Sequence, residues 1–300
     1  MSEVEALDGG DEIRTITDKI ALIDADSVVW AACSVCTNNV PMLPEAFYTE
    51  EEWAEILVDP NYYEDLGLMS SIDLDEAYEH AKNKIEKILY KTECKDYELH
   101  FTSGRKSFRY TQVDPMYKAN RLPENQAKPK EPIQGLGELK QRFIDEGKGT
   151  TWYDWEADDI VTALKSQYPD KYVLVALDKD VLYTLPGKHF NYYYSELYNI
   201  PMKWFEVTME EAMIHHYRQT LTGDKGDNVI GLHGIGPKKA DKILKGCTTT
   251  YEMWEAVTKA YEDNGRTVID AITNMRLVNM HQLHWSGDKW VLELWRPPTS

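Results

Sequence analysis

The sequence has little cysteine, no long apolar run and, over one long stretch, no basic residue. Four cysteines in 300 residues are too few for a disulfide-stapled fold and suit a reducing compartment. No uninterrupted apolar stretch approaches the roughly 18 residues that a membrane span needs. Met1 to Asp18 also lacks the basic and then apolar pattern of a secretory signal. We therefore expect a cytoplasmic protein with no membrane partner.

Charge is distributed unevenly along the chain. No lysine or arginine occurs between Ile20 and Ala81, and residues 1–81 carry 20 of the 51 acidic residues. The formal net charge of -18 at first argues against a nucleic-acid partner. The basic residues, however, cluster in two later segments, 104–134 and 238–245. A polyanion can therefore bind the later part of the chain despite the acidic total.

The order of apolar segments predicts an α/β domain followed by a helical region. Short apolar runs predict strands at 19–24, 97–101, 150–155 and 172–177. Amphipathic segments between them predict helices, and this alternation is typical of a mainly parallel central sheet with flanking helices. The predicted divisions are an acidic, disordered tail at 1–18, an α/β domain at 19–205 that includes a basic segment at 104–134, and a helical region with a C-terminal tail at 206–300.

Four groups of acidic residues follow predicted strands or begin predicted helices. They are Asp24 with Asp26, Glu156 with Asp158 and Asp159, Asp178 with Asp180, and Asp224 with Asp227. Ligands of open α/β sheets collect at the carboxyl ends of the strands, so we expect these carboxylates to converge in one crevice. Carboxylates so close repel one another unless hard cations bind, and Mg²⁺ or Mn²⁺ suits them better than zinc. Two such ions form a recognised site for phosphodiester hydrolysis.

A glycine-rich turn precedes the second basic cluster. Gly231, Gly234 and Gly236 lead into a predicted helix that begins with Lys238 and Lys239 in its first turn. Exposed backbone N–H groups and the helix dipole favour a phosphate at such a position. Contact of this kind recognises the nucleic-acid backbone rather than its base sequence. A tight turn between two helices accounts for the same pattern without a ligand.

These segments together resemble the 5′-nuclease (flap endonuclease) family, whose motifs occur here in the same order. The matching motifs are Ile23-Asp24-Ala25-Asp26, Glu156-Ala157-Asp158-Asp159, Asp178-Lys179-Asp180, and Gly223-Asp224-Lys225-Gly226-Asp227-Asn228 followed by Gly231 to Pro237. Pro115 to Arg121 is similar to the basic motif of the bacteriophage members. The length of the chain is similar to that of the short phage 5′→3′ exonucleases.

The resemblance implies a PIN-like α/β nuclease domain with a helix–three-turn–helix module that grips duplex DNA and holds a potassium ion. It implies hydrolysis of phosphodiester bonds near the 5′ end of duplex or flapped DNA with two divalent metal ions, and RNA in RNA–DNA hybrids as a further substrate. The positions that match metal ligands or their partners are Asp24, Glu156, Asp158, Asp159, Asp178, Asp180, Asp224 and Asp227.

The resemblance also assigns the basic residues. Lys118 and Arg121 match residues that contact the scissile phosphate. Arg105, Lys106 and Arg109 are expected to hold the DNA strand. Contact with the duplex backbone is expected at Gly231, Gly234, Gly236, Lys238 and Lys239.

One position departs from the family pattern. An aspartate usually follows the second strand, whereas this chain has Phe101-Thr102-Ser103-Gly104 there. We expect either that one metal ion is held more loosely or that Asp26 takes part of that role at the metal site. Two other functions fit parts of the same pattern. A PIN-like ribonuclease shares the carboxylates, and a DNA-junction binding protein without catalysis would explain the absent aspartate.

Overall fold

The computed structural model describes residues 16–41, 68–104, 106–122, 125, 133–193, 195 and 199–299. The strands are β1 (Thr17–Asp24), β2 (Thr37–Pro41), β3 (Leu68–Ile72), β4 (Cys94–Thr102), β5 (Gly149–Trp152), β6 (Tyr172–Ala176), β7 (Gly187–Asn191), β8 (Lys203–Val207), β9 (Gly223–Asp224), β10 (Val229–Ile230), β11 (Leu283–Trp285) and β12 (Trp290–Leu292). The helices are α1 (Asp26–Cys36), α2 (Leu74–Thr92), α3 (Leu136–Asp145), α4 (Ala157–Gln167), α5 (Lys179–Tyr183), α6 (Met209–Thr222), α7 (Pro237–Leu244), α8 (Thr250–Asp263) and α9 (Val268–Val278).

Six strands form a mixed sheet in the order β5-β4-β1-β6-β7-β8. β5, β4, β1, β6 and β7 run parallel to their neighbours, and β8 pairs antiparallel with β7. β1 lies centrally and is continuously buried from Ala21 to Asp24, as expected for a strand covered by helices on both faces. The parallel order brings the carboxyl ends of β4, β1 and β6 to the same edge of the sheet.

Alternate residues of β1 pack into two different hydrophobic cores. Ala21 and Ile23 pack with residues of α1, α2 and α3 on one face. Leu22 packs on the other face with Val161 of α4 and Leu182 of α5. Side chains of successive strand residues point to opposite faces, so the apolar run at 20–23 contributes to both cores.

The helices α6 to α9 form a third core next to the sheet. Leu221, Leu244, Val257 and Met275, one from each helix, pack together in it. Capping boxes begin α6, α8 and α9, each with a threonine that accepts a hydrogen bond from the backbone three residues later. Between α6 and α7, β9 and β10 form a two-residue antiparallel pair.

The fold class predicted from the sequence is confirmed: mostly parallel central strands are flanked by helices, and a helical module follows them. One pairing lies outside the predicted strands: β2 and β3 pair antiparallel at residues 37–41 and 68–72. Residues 1–15 of the predicted acidic tail lie outside the described residues. β1 begins at Thr17, so the last two residues of the predicted tail, 17 and 18, belong to this strand. No helix among the residues that the structure describes is long and apolar enough to cross a membrane.

Candidate active site

A cleft of about 460 Å³ opens at the carboxyl ends of the parallel strands. The carboxylates that line it are Asp24, Asp26, Glu156, Asp158, Asp178 and Asp227, and the cations are Lys118 and Arg121. A smaller cavity of about 30 Å³ shares several of these carboxylates and adds Asp180 and Asp224. The structure thus brings together eight of the nine carboxylates that the sequence assigns to metal, along with both cations that it assigns to the scissile phosphate.

Strand ends and helix starts place these carboxylates. Asp24 is the last residue of β1, and Asp158 lies in the first turn of α4. Asp178 is the N-cap of α5, and its Oδ1 accepts a hydrogen bond of 2.8 Å from the backbone N–H of Asp180. A side-chain oxygen at an N-cap satisfies a free N–H group of the helix. The same local rules that begin these helices therefore direct carboxylates into the cleft.

Burial and mutual repulsion raise the pKa values of the clustered aspartates. Burial, followed by the charge of Asp26, raises the pKa of Asp24 to about 7. Burial and the charge of Asp178 raise the pKa of Asp180 to about 7. The pKa of Asp158 rises well above its ordinary value because of burial and the charge of Asp24. Hard cations relieve this repulsion, so the donor set fits Mg²⁺ or Mn²⁺.

Glu156 is the exception, because cations surround it. It precedes α4, and its carboxylate accepts hydrogen bonds from Lys118 Nζ (2.6 Å), Tyr117 Oη (3.0 Å) and Arg109 Nη1 (3.1 Å). Burial alone would raise its pKa, but Lys118 and Arg109 hold the pKa of Glu156 below its ordinary value. Glu156 therefore stays ionised and fixes the ammonium group of Lys118 at the wall of the cleft.

The basic segment is attached to the loop between β9 and β10. The backbone N–H of Lys118, a residue with a left-handed φ of 56°, donates to the carbonyl of Asp227 at 2.9 Å. Asn120 Nδ2 donates to the carbonyl of Lys225 at 2.8 Å. Arg121 donates to the carbonyl of Gly226 at 3.0 Å and also pairs with the carboxylate of Asp227. These contacts hold both cations next to the carboxylates.

The structure corrects the roles expected for Arg109 and Asp159. Arg109 is 1% exposed, so it cannot hold a DNA strand. Its guanidinium donates to both carboxylate oxygens of Asp159, at 2.6 and 2.8 Å, and Asp159 is 0% exposed. With both oxygens engaged by an arginine, Asp159 is not placed to bind a metal ion in the cleft. This pair is a structural link inside the protein.

The position of the absent aspartate is filled by a different arrangement. The backbone N–H of Thr102 donates to Asp26 Oδ2 at 2.9 Å, and Thr102 Oγ1 accepts from the N–H of Ala157 at 2.9 Å. Lys140 Nζ lies 2.6 Å from Asp26 Oδ1 and 3.0 Å from the carbonyl of Thr102. Asp26 is therefore in the cleft, as expected, but part of its charge is already balanced by Lys140.

Sequence reasoning missed two residues of this site. Lys140 lies on α3, far from every motif, and the sequence carries no signal for its role. Tyr117 lies within the basic motif, and its hydroxyl lies between two carboxylates, 2.7 Å from Asp227 Oδ2 and 3.0 Å from Glu156 Oε2, which share its single hydrogen. A buried tyrosine hydroxyl usually finds a partner, so the aromatic residue next to Lys118 was a usable signal.

The remaining expected DNA contacts lie at two places. Lys106 is exposed, and Arg105 lies outside the described residues. At the second place, Lys238 and Lys239 are exposed in the first turn of α7, after Gly234 and Gly236, which are also exposed.

Gly231 has a packing role in addition. A Cβ at this position would lie 2.2 Å from the carbonyl carbon of Thr222, a distance that no side chain tolerates. The closeness of these two backbone segments therefore requires glycine at residue 231, whether or not DNA is bound.

Parts of the chain are similar to known proteins in sequence and in fold. No family model matches the chain. DNA polymerase I of Caldicellulosiruptor bescii is 28% identical over 116 residues, which are 35% of this chain and 14% of the polymerase. Flap endonuclease Xni of Shewanella piezotolerans is 27% identical over 136 residues, 43% of this chain and 51% of that protein. The chain thus spans about half the length of the flap endonucleases it matches, and far less of the polymerase.

Solved structures match over more of the chain. The bacteriophage T5 D15 protein co-crystallised with metal ions covers 87% of this chain, and 89% of its own length is matched, with a TM-score of 0.56 and 16% identity. A complex of the T5 D15 flap endonuclease with DNA and metal ions covers 68% of this chain and 80% of its own, with a TM-score of 0.52 and 19% identity. Part of the chain is thus similar in sequence to flap endonucleases, and most of it shares the fold of the T5 D15 protein.

Proposed function

We propose that this protein is a divalent-metal-dependent nuclease that hydrolyses phosphodiester bonds at the 5′ end of duplex or flapped DNA. One observation carries the proposal: a single cleft contains six carboxylates and the side chains of Lys118 and Arg121. Carboxylates alone would suit many cation sites. The adjacent lysine and arginine add groups that bind a phosphate oxygen, as expected for a phosphodiesterase.

Two overlapping sets of carboxylates would hold the ions. Asp24 lines the larger cavity and Asp180 and Asp224 line the smaller one. Asp158, Asp178 and Asp227 line both cavities. When bound, a pair of divalent ions activates water and stabilises the charge that develops on the attacking and leaving oxygens. We propose Mg²⁺ or Mn²⁺ because the ligands are oxygen atoms only.

The protein's own cations would orient the phosphate. Lys118 is four-fifths buried at its side chain and keeps its ammonium at the cleft wall through Glu156. Arg121 is about half exposed and points toward Asp227. A phosphodiester in the cleft can replace part of these contacts, which leaves both side chains positioned for its non-bridging oxygens. Preorganised donors of this kind cost no reorganisation when charge develops.

Duplex binding is assigned to the turn before α7. Lys238 and Lys239 lie exposed at the start of a helix, where backbone N–H groups are free and the dipole favours a phosphate. A potassium ion at this turn and activity on RNA in RNA–DNA hybrids remain predictions from the resemblance, and a cytoplasmic location remains a prediction from the composition of the sequence. Flap endonucleases are among the relatives, and a T5 structure contains DNA and metal ions, which agrees with this choice of substrate.

The decisive experiment uses one flap duplex labelled separately at its 5′ and 3′ ends. We expect release of short 5′ products in Mg²⁺ and none when a chelator is present. A matched RNA strand tests the PIN-like ribonuclease, which would cleave single-stranded RNA in preference to the DNA flap. Tight junction binding with no metal-dependent cleavage would instead identify a non-catalytic DNA-binding protein. Either result would contradict the proposal.

Asp178→Asn is the sharpest variant for this test. Asparagine caps a helix as well as aspartate does, so α5 should persist while a charged metal ligand is lost. We expect the cleavage rate to fall more than about 100-fold, because even groups behind metal ligands are worth roughly 10–100-fold. Asp170→Asn is the matched control, since Asp170 is exposed and precedes β6 at the opposite end of that strand. Equal activity of the two variants would remove Asp178 from the site.

A further inference from the structure

A second group of metal-binding side chains lies at the far end of α1 from the cleft. Cys36 ends α1, while Glu76 and His80 lie one turn apart on α2. One ligand atom from each of the three residues lies within 4.8 Å of the others. Within the part of the chain that the structure describes, no other group of three His, Cys, Asp or Glu side chains brings its ligand atoms within 4.8 Å of one another.

The three side chains are arranged as an open site. Cys36 is buried, whereas the side chains of Glu76 and His80 are 61% and 49% exposed, so an ion can enter from solvent. His80 Nε2 lies 3.8 Å from Glu76 Oε1, which is too long for a hydrogen bond and leaves both atoms available. The i,i+4 spacing on α2 directs both side chains to the same face of the helix.

The chemistry of this donor set differs from that of the cleft. It combines a thiol, an imidazole and a carboxylate, whereas the cleft offers oxygen atoms from carboxylates. Sulfur and nitrogen ligands favour Zn²⁺ over Mg²⁺, and a zinc site with three protein ligands keeps its fourth position for water.

We propose that Cys36, Glu76 and His80 form a zinc site that joins α1 to α2. Asp26 of the cleft is the first residue of α1, and Cys36 is the last. An ion at Cys36 would therefore fix the position of the helix that carries Asp26. The site requires only these three residues and does not depend on the proposed nuclease activity.

Cobalt(II) is the probe that separates the two kinds of site. The full-length protein is freed of metal with a chelator, transferred to buffer with excess Mg²⁺ to occupy the carboxylate cleft, and titrated with Co²⁺. We expect a thiolate-to-cobalt charge-transfer band in the near ultraviolet that saturates at one equivalent and is displaced by Zn²⁺, which binds such sites more tightly. Cys36→Ser should abolish the band, and Cys33→Ser, one turn earlier in α1, should retain it.

His80→Ala provides a variant that should not disturb folding, because His80 is half exposed on a helix and alanine favours helices. Its cobalt affinity should fall at least about tenfold. His284→Ala, at an exposed histidine of β11, and Asp178→Asn should both keep the band. A folded wild-type protein without the band, or equal cobalt affinity in His80→Ala and wild type, would overturn the zinc site. Neither result bears on cleavage of DNA.

Discussion

Replacing Arg109 by methionine tests whether this arginine supports the fold or binds DNA. In the structure its guanidinium donates to Asp159 twice, to Glu156, and to the backbone carbonyls of Leu277 (2.7 Å) and Asn279 (3.2 Å). Although burial opposes its charge, Asp159 keeps the pKa of Arg109 well above its ordinary value. Methionine retains most of the apolar stem and removes every one of these hydrogen bonds.

The expected loss is large relative to the stability of a domain. Removing one partner of a buried ion pair costs about 3–5 kcal/mol, because the other charge stays buried without compensation. Glu156 retains Lys118 and Tyr117 as partners, and the carbonyl of Asn279 retains Gln282, so Asp159 and the carbonyl of Leu277 bear the main cost. Native domains have only about 5–15 kcal/mol of stability. Arg109→Met should therefore lower the free energy of unfolding by about 3–5 kcal/mol, which is at least about a fifth of the total.

Urea unfolding measures this loss, and a second substitution identifies its cause. Combining Arg109→Met with Asp159→Leu removes the unpaired charge, so the double variant should recover about 0.5–3 kcal/mol relative to additivity. DNA affinity is measured by fluorescence anisotropy over a range of salt concentrations where each variant is folded. Unfolding free energy within about 0.5 kcal/mol of wild type would refute the structural role. A salt slope reduced by about 1 would then assign Arg109 to a phosphate.

Two further predictions concern the cleft. Lys118→Ala should slow single-turnover cleavage of a flap substrate about 10²–10³-fold, as for loss of a preorganised donor, with a smaller effect on DNA affinity. Lys106→Ala, at an exposed position, is the control that should weaken binding without slowing the step; an unchanged rate in Lys118→Ala would contradict its role. With metal removed by a chelator, the free energy of unfolding should fall as the pH rises from about 4 to about 7. Asp24 and Asp180 have pKa values of about 7 in the folded protein and 3.8 in the unfolded chain. Between these values the folded protein holds protons that the unfolded chain releases, so raising the pH favours unfolding. Urea titrations at pH 5 and 8 should show this slope, Asp24→Asn should flatten it, and equal slopes for the two proteins would exclude Asp24 as its source.

The sheet and the convergence of carboxylates were predictable because they follow from local rules. An apolar run that ends in a carboxylate predicts a buried parallel strand, and parallel strands end at the same edge. The positions of Asp24 and Asp178 at this edge could therefore be predicted without further knowledge of tertiary contacts. The pairing of β2 with β3 was not predictable, since the 26 residues between Pro41 and Leu68 separate them and neither strand has a long apolar run.

The roles of neighbouring residues in one motif were harder to separate. Asp158 and Asp159 are consecutive, so their side chains differ by about 100° around α4. Asp158 faces the cleft, whereas Asp159 lies on the helix face that also buries Ile160 and Ala163. Val161, three residues after Asp158, is buried as well, so the apolar pattern of α4 does not separate the two aspartates. The partner of Asp159 was not predictable either, because Arg109 lies 50 residues earlier in a segment with no apolar periodicity.

The same argument explains why one basic segment contains both a structural cation and a candidate catalytic one. Arg109 and Lys118 both donate to Glu156, so residue type and partner do not distinguish them. Their solvent exposure distinguishes the two cations. A buried cation must have all its hydrogen-bond donors satisfied by the protein, and Arg109 donates to two backbone carbonyls at the end of α9. Lys118 keeps a face toward the cleft and has donors to spare for a phosphate. Since Arg109 joins Glu156 to α9 and Glu156 holds Lys118, the position of the catalytic candidate depends on the buried arginine that the sequence assigned to DNA.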